Sequence, residues 1–208
     1  KIPANSKKTI YMYIGSTSLG SESDFLNVFV QGIVNGDFST GDMSGWNIED
    51  RSDKSGGVLP TVRTDSEGLS DTNPYCYQSA SNLDWHSYSQ EFTGYLPVKI
   101  TFDFRSSPGG GGGCGPCGIS YLTDCSYSAI FLRFYDENNV LLGTTLLYVD
   151  YYHLSEDEIR TYCDFLEVYH LTGGDTWTHY EFSDLLGDLN TSKVAKVKME
   201  VRIYSDYT

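Results

Sequence analysis

The chain has 208 residues, enough for one domain with a full hydrophobic core. Aromatic residues make up 14% of it, 17 of them tyrosines, a composition typical of exposed β-structure. The formal net charge of -14 argues against nucleic acid as a partner, because phosphate binding needs a basic stripe. Direct membrane insertion is also not expected, since no apolar run of the sequence is long enough to cross a bilayer.

Alternating strand patterns fill most of the chain. Between Ile100 and Arg105 apolar and polar residues alternate strictly, and the segment from Val197 to Ile203 repeats the pattern. This alternation is typical of antiparallel strands that bury one face. A tight turn at 136–139 predicts a hairpin. In chain order, the predicted strands lie within 8–15, 26–34, 46–50, 58–65, 75–81, 85–94, 98–107, 129–149, 177–186 and 193–205.

One segment, 155–170, carries a helical pattern. Ser155 and Glu158 form a capping box, and apolar residues recur after it at helical spacing. The sequence therefore predicts an all-β, jelly-roll-like antiparallel β-sandwich with one short helix and an N-terminal extension strand. Residues 1–25 are the predicted extension, and residues 26–208 are the predicted β-sandwich domain.

Five cysteines, an odd number, leave at least one thiol free or paired outside the chain. A zinc site at Cys114 and Cys117 lacks a nearby histidine, and a thioredoxin-like site lacks a βαβ context. Disulfides in an extracellular or cell-surface protein are the favoured interpretation. Because the chain starts without Met or a signal peptide, we interpret it as a processed piece of a secreted precursor. The disulfide candidates are Cys76, Cys114, Cys117, Cys125 and Cys163.

Catalytic motifs are not evident in the sequence. It contains neither HExxH nor GxSxG, and its acidic residues follow no spacing rule for a carboxylate pair, so we expect no enzyme. Trp46 and Trp177 lie beside alternating apolar residues and are predicted core residues. Trp85 lies among polar residues and is predicted to be an exposed platform for a sugar ring. The predicted ligand-binding set is Trp85, Tyr88, Asn82 and Asp84.

The segment "NGDFSTGDMSGWNI" at 35–48 resembles the opening of carbohydrate-binding-module-like β-sandwiches with a galactose-binding fold. The late segments "GDTWTHYEF" and "SDLLGDLNTSKVAKVKMEVRIYSD" look like the final strands of the same modules, so the resemblance covers residues 34–208. It implies a non-catalytic extracellular module for adhesion or glycan contact. Such modules often hold a structural Ca²⁺ near this opening. Here Ser39 stands where their acidic ligand usually sits, which leaves Asp37 and Asp42 as the implied oxygen ligands.

Residues 1–25 resemble the tail of a small β-domain common in archaeal surface and secreted proteins. The resemblance also implies that the sandwich lacks its last strand while the extension carries a spare one. An alternative function follows: a structural subunit of an extracellular filament, in which each copy donates its spare strand to the next. A fragment of a longer chain, cut at imperfect domain boundaries, explains the same pattern equally well. The predicted donor strand consists of Thr9, Ile10, Tyr11, Met12, Tyr13 and Ile14.

Overall fold

A computed structural model describes residues 33–50, 57–69, 73–80, 84–93, 96, 99–106, 114–115, 119–120, 126–150 and 155–205. All of them belong to the unit Ile33–Thr208, which is separate from the unit Lys1–Gly32. The predicted extension and its donor strand at 9–14 lie outside the described residues, and so does most of the predicted strand at 26–34. In the described part of the chain, no helix is long and apolar enough to span a membrane.

The larger layer of the fold is a six-stranded sheet with the order β1-β4-β12-β8-β9-β10. Every neighbouring pair in it is antiparallel except β9 and β10, which are parallel. Its strands are β1 (Asn47–Asp50), β4 (Asp84–Thr93), β8 (Ser126–Tyr135), β9 (Leu141–Asp150), β10 (Val168–His170) and β12 (Lys196–Ser205).

The remaining strands form two-stranded sheets. These pairs are β2 (Gly57–Arg63) with β3 (Tyr75–Ala80), β5 (Ile100–Ser106) with β11 (Gly174–Phe182), and the short β6 (Cys114–Gly115) with β7 (Ile119–Ser120). The helical segments are α1 (Glu156–Tyr162) and a 3-10 turn at Thr191–Lys193.

The core lies between the six-stranded sheet and the pair β5–β11. Alternate residues of β8 and β12 point inward, as the two-residue period of a strand requires, and meet aromatic side chains from β5 and β11. Phe102 stacks with Tyr180 and Phe182 at centroid distances of 5.6 and 6.2 Å. The predicted all-β antiparallel sandwich is therefore confirmed. The buried core residues are Trp46, Ile100, Ile130, Leu132, Phe134, Leu147, Val149, Leu171, Leu185, Val197, Met199 and Val201.

Helix α1 is shorter than the helical pattern in the sequence. The pattern runs to residue 170, but the helix ends at Tyr162 and the chain continues into strand β10. The amide of Leu146 donates to the carbonyl of Glu167 (2.9 Å), and the amide of Leu166 donates to that of Thr144 (2.8 Å). Pairing with β9 thus satisfies the backbone groups that a longer helix would have used. Ile159 of α1 is fully buried in a second apolar cluster, on the outer face of the sheet.

The outer face of the sheet also carries a buried ion cluster. Glu200 of β12 is almost fully buried and is hydrogen-bonded to Arg133 and to Arg202, whose Nε donates to Glu200 Oε1 (2.7 Å). Aromatic rings pack against both guanidinium groups, with Arg202 Cζ 4.4 Å from the centre of the Trp85 ring. Burial of Glu200 acts to raise its pKa, but the two arginines outweigh that effect and the pKa is lowered overall.

Replacing Glu200 by Gln would leave the two arginines without the carboxylate that compensates them. We expect the free energy of unfolding of the Glu200→Gln variant to fall by about 3 kcal/mol at neutral pH. Because the folded-state pKa of Glu200 is lowered, its contribution is present above the unfolded pKa and is lost as the pH falls through the folded pKa. The stability difference between the two proteins should therefore close on acidification, as measured by urea unfolding over a pH series.

The matched control is Glu49→Gln on the edge strand β1. The Glu49 carboxylate is more exposed and meets Lys198 Nζ at 3.4 Å, so its loss should cost under about 1 kcal/mol. A difference between wild type and Glu200→Gln that stays constant with pH would contradict the assignment, as would equal losses in the two variants.

Candidate functional site

The segment 35–46, which opens the predicted domain, is a clamp closed by Asn35. Asn35 adopts a positive φ of 52°, a conformation that Asn tolerates better than most residues. Its side-chain amide donates to the carbonyls of Asp42 (2.9 Å) and Ser44 (3.1 Å), and its Oδ1 accepts from the amide of Thr40 (3.3 Å). The indole Nε1 of Trp46 donates to the carbonyl of Asn35 (3.1 Å). Asn35 therefore holds the segment together, through its side chain to Asp42 and Ser44 and through its carbonyl to Trp46.

Trp46 anchors this clamp in the core, as the sequence predicts. It is 9% exposed, and its ring lies 4.9 Å from that of Tyr88 and 5.9 Å from that of Phe38. Phe38 is partly buried against the same cluster. The segment is accordingly a structural opening of the sandwich.

The two predicted calcium ligands serve the turns of the clamp. Asp37 Oδ1 accepts from the amide of Ser39 (3.1 Å), and Asp42 Oδ1 accepts from the amide of Ser44 (2.9 Å) and the hydroxyl of Thr40 (2.9 Å). These hydrogen bonds lower the pKa of both carboxyls. Among the described residues, no three His, Cys, Asp or Glu side chains come together as metal ligands. Two carboxylates do not make the six-to-eight-oxygen cage that Ca²⁺ takes, so calcium binding remains a prediction.

The predicted sugar platform does not form as one site. Trp85 is on the outer face of β4, against Arg202, whereas Tyr88 is on the inner face, opposite Val201. The two are three residues apart on one strand, and residues at odd separations point to opposite faces. Asn82 lies outside the described residues, and Asp84 begins β4 with a side chain that is not described.

A cleft of about 370 Å³ lies instead on the other side of the fold. In the described part of the chain, the pairs β2–β3 and β5–β11 are separate sheets, and residues of both line this space. The inner face of the six-stranded sheet forms its floor, through residues such as Val201 and Ile203. We call this space the seam cleft. Its aromatic and hydrogen-bonding lining includes Arg63, Tyr75, Tyr77, Gln78, Arg105 and Trp177.

Glu67, in the loop after β2, joins the two walls of the seam cleft. Its carbonyl accepts from Trp177 Nε1 (2.7 Å) and from Arg105 Nη1 (3.1 Å), and its carboxylate pairs with the same Arg105 nitrogen (2.8 Å). Tyr75 packs edge-on against Trp177 at 5.5 Å. Trp177 is therefore a half-buried rim residue of the cleft, and its prediction as a core residue is wrong. The β5–β11 register shifts between Gly174 and Thr178, which breaks the alternation on which that prediction relied.

The β2–β3 wall carries a stacked arginine on one face and, on the opposite face, an unsatisfied amide. Arg63 Cζ lies 3.5 Å from the centre of the Tyr77 ring. The hydroxyl of Tyr75 donates to Asp65 Oδ1 (2.9 Å), and burial together with this hydrogen bond raises the pKa of Tyr75. Gln78 Oε1 is buried and has no hydrogen-bond partner among the described residues. Sequence reasoning missed this wall, although Tyr75 and Tyr77 share one strand face by their spacing.

The cysteines divide into one free thiol and a partly described remainder. Cys76 of β3 is a free thiol, so its place among the disulfide candidates is wrong. Burial raises its pKa to about 12. Cys163 is not a free thiol, and its disulfide remains a prediction. The side chains of Cys114, Cys117 and Cys125 lie outside the described part, so their pairing remains a prediction.

Cys76 should resist alkylation in the folded protein. A thiol with a pKa of about 12 is only about 10⁻⁴ ionised near pH 8, and the thiolate is the reactive form. We expect iodoacetamide to leave Cys76 unmodified in the native protein and to modify it rapidly in urea, as measured by peptide mass spectrometry. The control is Ser39→Cys in the exposed clamp, which should react rapidly without urea. Equal native rates at the two positions would refute the buried-thiol assignment.

Comparisons with known proteins add a distant structural likeness. No protein-family model matches the chain, and no curated protein matches it. One similar solved structure is described as the structural basis for the promiscuous specificity of carbohydrate-binding modules from the β-sandwich superfamily. The two share 12% sequence identity with a TM-score of 0.44, over 82% of this chain and 58% of the solved one. A likeness this distant does not indicate a function.

Proposed function

We propose that this chain is a non-catalytic, extracellular β-sandwich module that binds a saccharide in the seam cleft. The observation that carries the proposal is the cleft itself. Its volume of about 370 Å³ falls in the range of small-ligand sites, and it combines aromatic rings with fixed polar groups. A sugar ring offers C–H faces that pack on aromatic side chains and hydroxyls that need hydrogen-bond partners.

The rim of the cleft is preorganised. Trp177 is fixed by its hydrogen bond to Glu67 and by the edge of Tyr75, so its position does not depend on a ligand. Arg105 is fixed by two contacts with Glu67. Side chains that are already ordered lose little conformational entropy on binding, which favours measurable affinity in a small site.

The acidic residues of the seam cleft favour saccharide binding over saccharide hydrolysis. Two carboxylates line it, from Glu67 and Asp175. The Glu67 carboxylate is committed to the salt bridge with Arg105 that holds the rim, whereas glycosidases need both members of an acid pair at the scissile bond. An extracellular setting agrees with the disulfides predicted from the cysteines, since such bonds persist in oxidising compartments.

Loss of an aromatic side chain from the seam cleft should weaken saccharide binding. We expect Trp177→Ala and Tyr77→Ala each to weaken saccharide binding by about tenfold or more, because aromatic anchors in pockets dominate small interfaces. The control is Trp85→Ala, which removes an indole from the outer face and should leave the affinity unchanged. A glycan array of neutral and acidic oligosaccharides identifies the strongest binder, and titration calorimetry then measures each variant.

Thermal unfolding of each variant separates a binding defect from a folding defect. If Trp85→Ala loses binding while Trp177→Ala and Tyr77→Ala, both folded, retain it, the site is elsewhere. Silence of the wild-type protein across the whole array would refute saccharide binding altogether.

A further inference from the structure

Arg63 is a cation of the seam cleft that stacks on an aromatic ring. It ends strand β2, opposite Tyr75 in the β2–β3 register, and its guanidinium lies 3.5 Å above the ring of Tyr77. One face of the group is therefore covered by an aromatic ring, which leaves its in-plane N–H groups to donate toward the cleft.

The charge of Arg63 is not compensated in the way that the charges of the other described arginines are. Arg105, Arg133, Arg160 and Arg202 each form a salt bridge with a glutamate. Among the described residues, no carboxylate forms a salt bridge with Arg63, although acids outnumber Lys and Arg by 28 to 14 in the chain. Asp65 is near in sequence, but its Oδ1 accepts from the Tyr75 hydroxyl and from the amide of Glu67.

We propose that the seam cleft takes an acidic saccharide, whose carboxylate pairs with the guanidinium of Arg63. This inference rests on the proposed function and specifies its substrate class. A planar guanidinium donates two parallel hydrogen bonds to a carboxylate, an arrangement that fixes the orientation of the sugar as well as its charge. The neighbouring rings of Tyr77 and Trp177 then pack against the sugar itself.

The negative groups of the cleft oppose this ligand only weakly. The Glu67 carboxylate is already neutralised by Arg105 at 2.8 Å. Asp175 is exposed, so solvent and salt screen its repulsion. The high net negative charge of the chain acts at long range and slows the approach of polyanions more than it weakens a short contact with Arg63.

The test compares matched ligands that differ only at the carboxyl group, which is charged in the acid and neutral in its methyl ester. The probes are trigalacturonic acid, a glucuronate-containing hyaluronan tetrasaccharide and sialyllactose, each against its carboxyl methyl ester. Titration calorimetry at about 0.15 M salt should show that at least one acid binds about tenfold more tightly than its ester. In Arg63→Met this preference should vanish, and in Arg63→Lys it should be reduced, because the ammonium keeps the charge but not the two-bond geometry.

The matched control is Lys193→Met, which removes one positive charge from the exposed 3-10 turn and should keep the preference. Thermal unfolding confirms that each variant is folded. If acids and esters bind equally, or if the array finds only neutral ligands while Trp177→Ala still abolishes binding, the cleft binds a neutral saccharide. That outcome would overturn the role of Arg63 and leave the proposed function intact. Absence of binding to any saccharide, acidic or neutral, would overturn both.

Discussion

Strand β12 pairs with β4 on one side and with β8 on the other over its full length, from Lys196 to Ser205. This uninterrupted register is the constraint on which the rest of the fold depends, because it sorts every second residue to one face. Val197, Met199 and Val201 enter the core, while Glu200 faces outward and gathers two arginines. A slip of one residue would place that carboxylate in the apolar core and expose the core residues, so the ion cluster and the apolar core specify the same register.

The second layer of the sandwich is not one continuous hydrogen-bonded sheet, and the seam cleft lies where its two strand pairs are separated. The antiparallel pairs β2–β3 and β5–β11 lie over the six-stranded sheet, and they do not hydrogen-bond to each other in the described part of the chain. Glu67 bridges them through Trp177 and Arg105 at the rim, which leaves a lined space beneath. The continuous sheet fixes the floor of the cleft, and the loop after β2 fixes its mouth. The proposed binding residues thus lie on short elements that the six-stranded sheet positions.

The sequence predicts those parts of the fold that local periodicity determines. Strands β5 and β12 follow from alternation, and the burial of Trp46 follows from its apolar neighbours. The end of α1 was not predictable from local sequence, because it depends on the long-range pairing of β10 with β9. The separation of Trp85 from Tyr88 was predictable, since an odd spacing on one strand already excludes a shared face. The seam cleft was not, because its walls come from segments as far apart as Arg63 and Trp177.

Arg63 and Arg202 both stack on aromatic rings, but they differ in how their charge is balanced. Arg202 lies over Trp85 and has Glu200 beside it, so its charge is balanced within the protein where the sheet is buried. Arg63 lies over Tyr77, closer to its ring, and forms no salt bridge within the described residues. A buried charge needs an internal partner, whereas a charge that borders a cleft keeps water until a ligand replaces it. The contrast supports a structural role for Arg202, and it is consistent with the recognition role that we propose for Arg63.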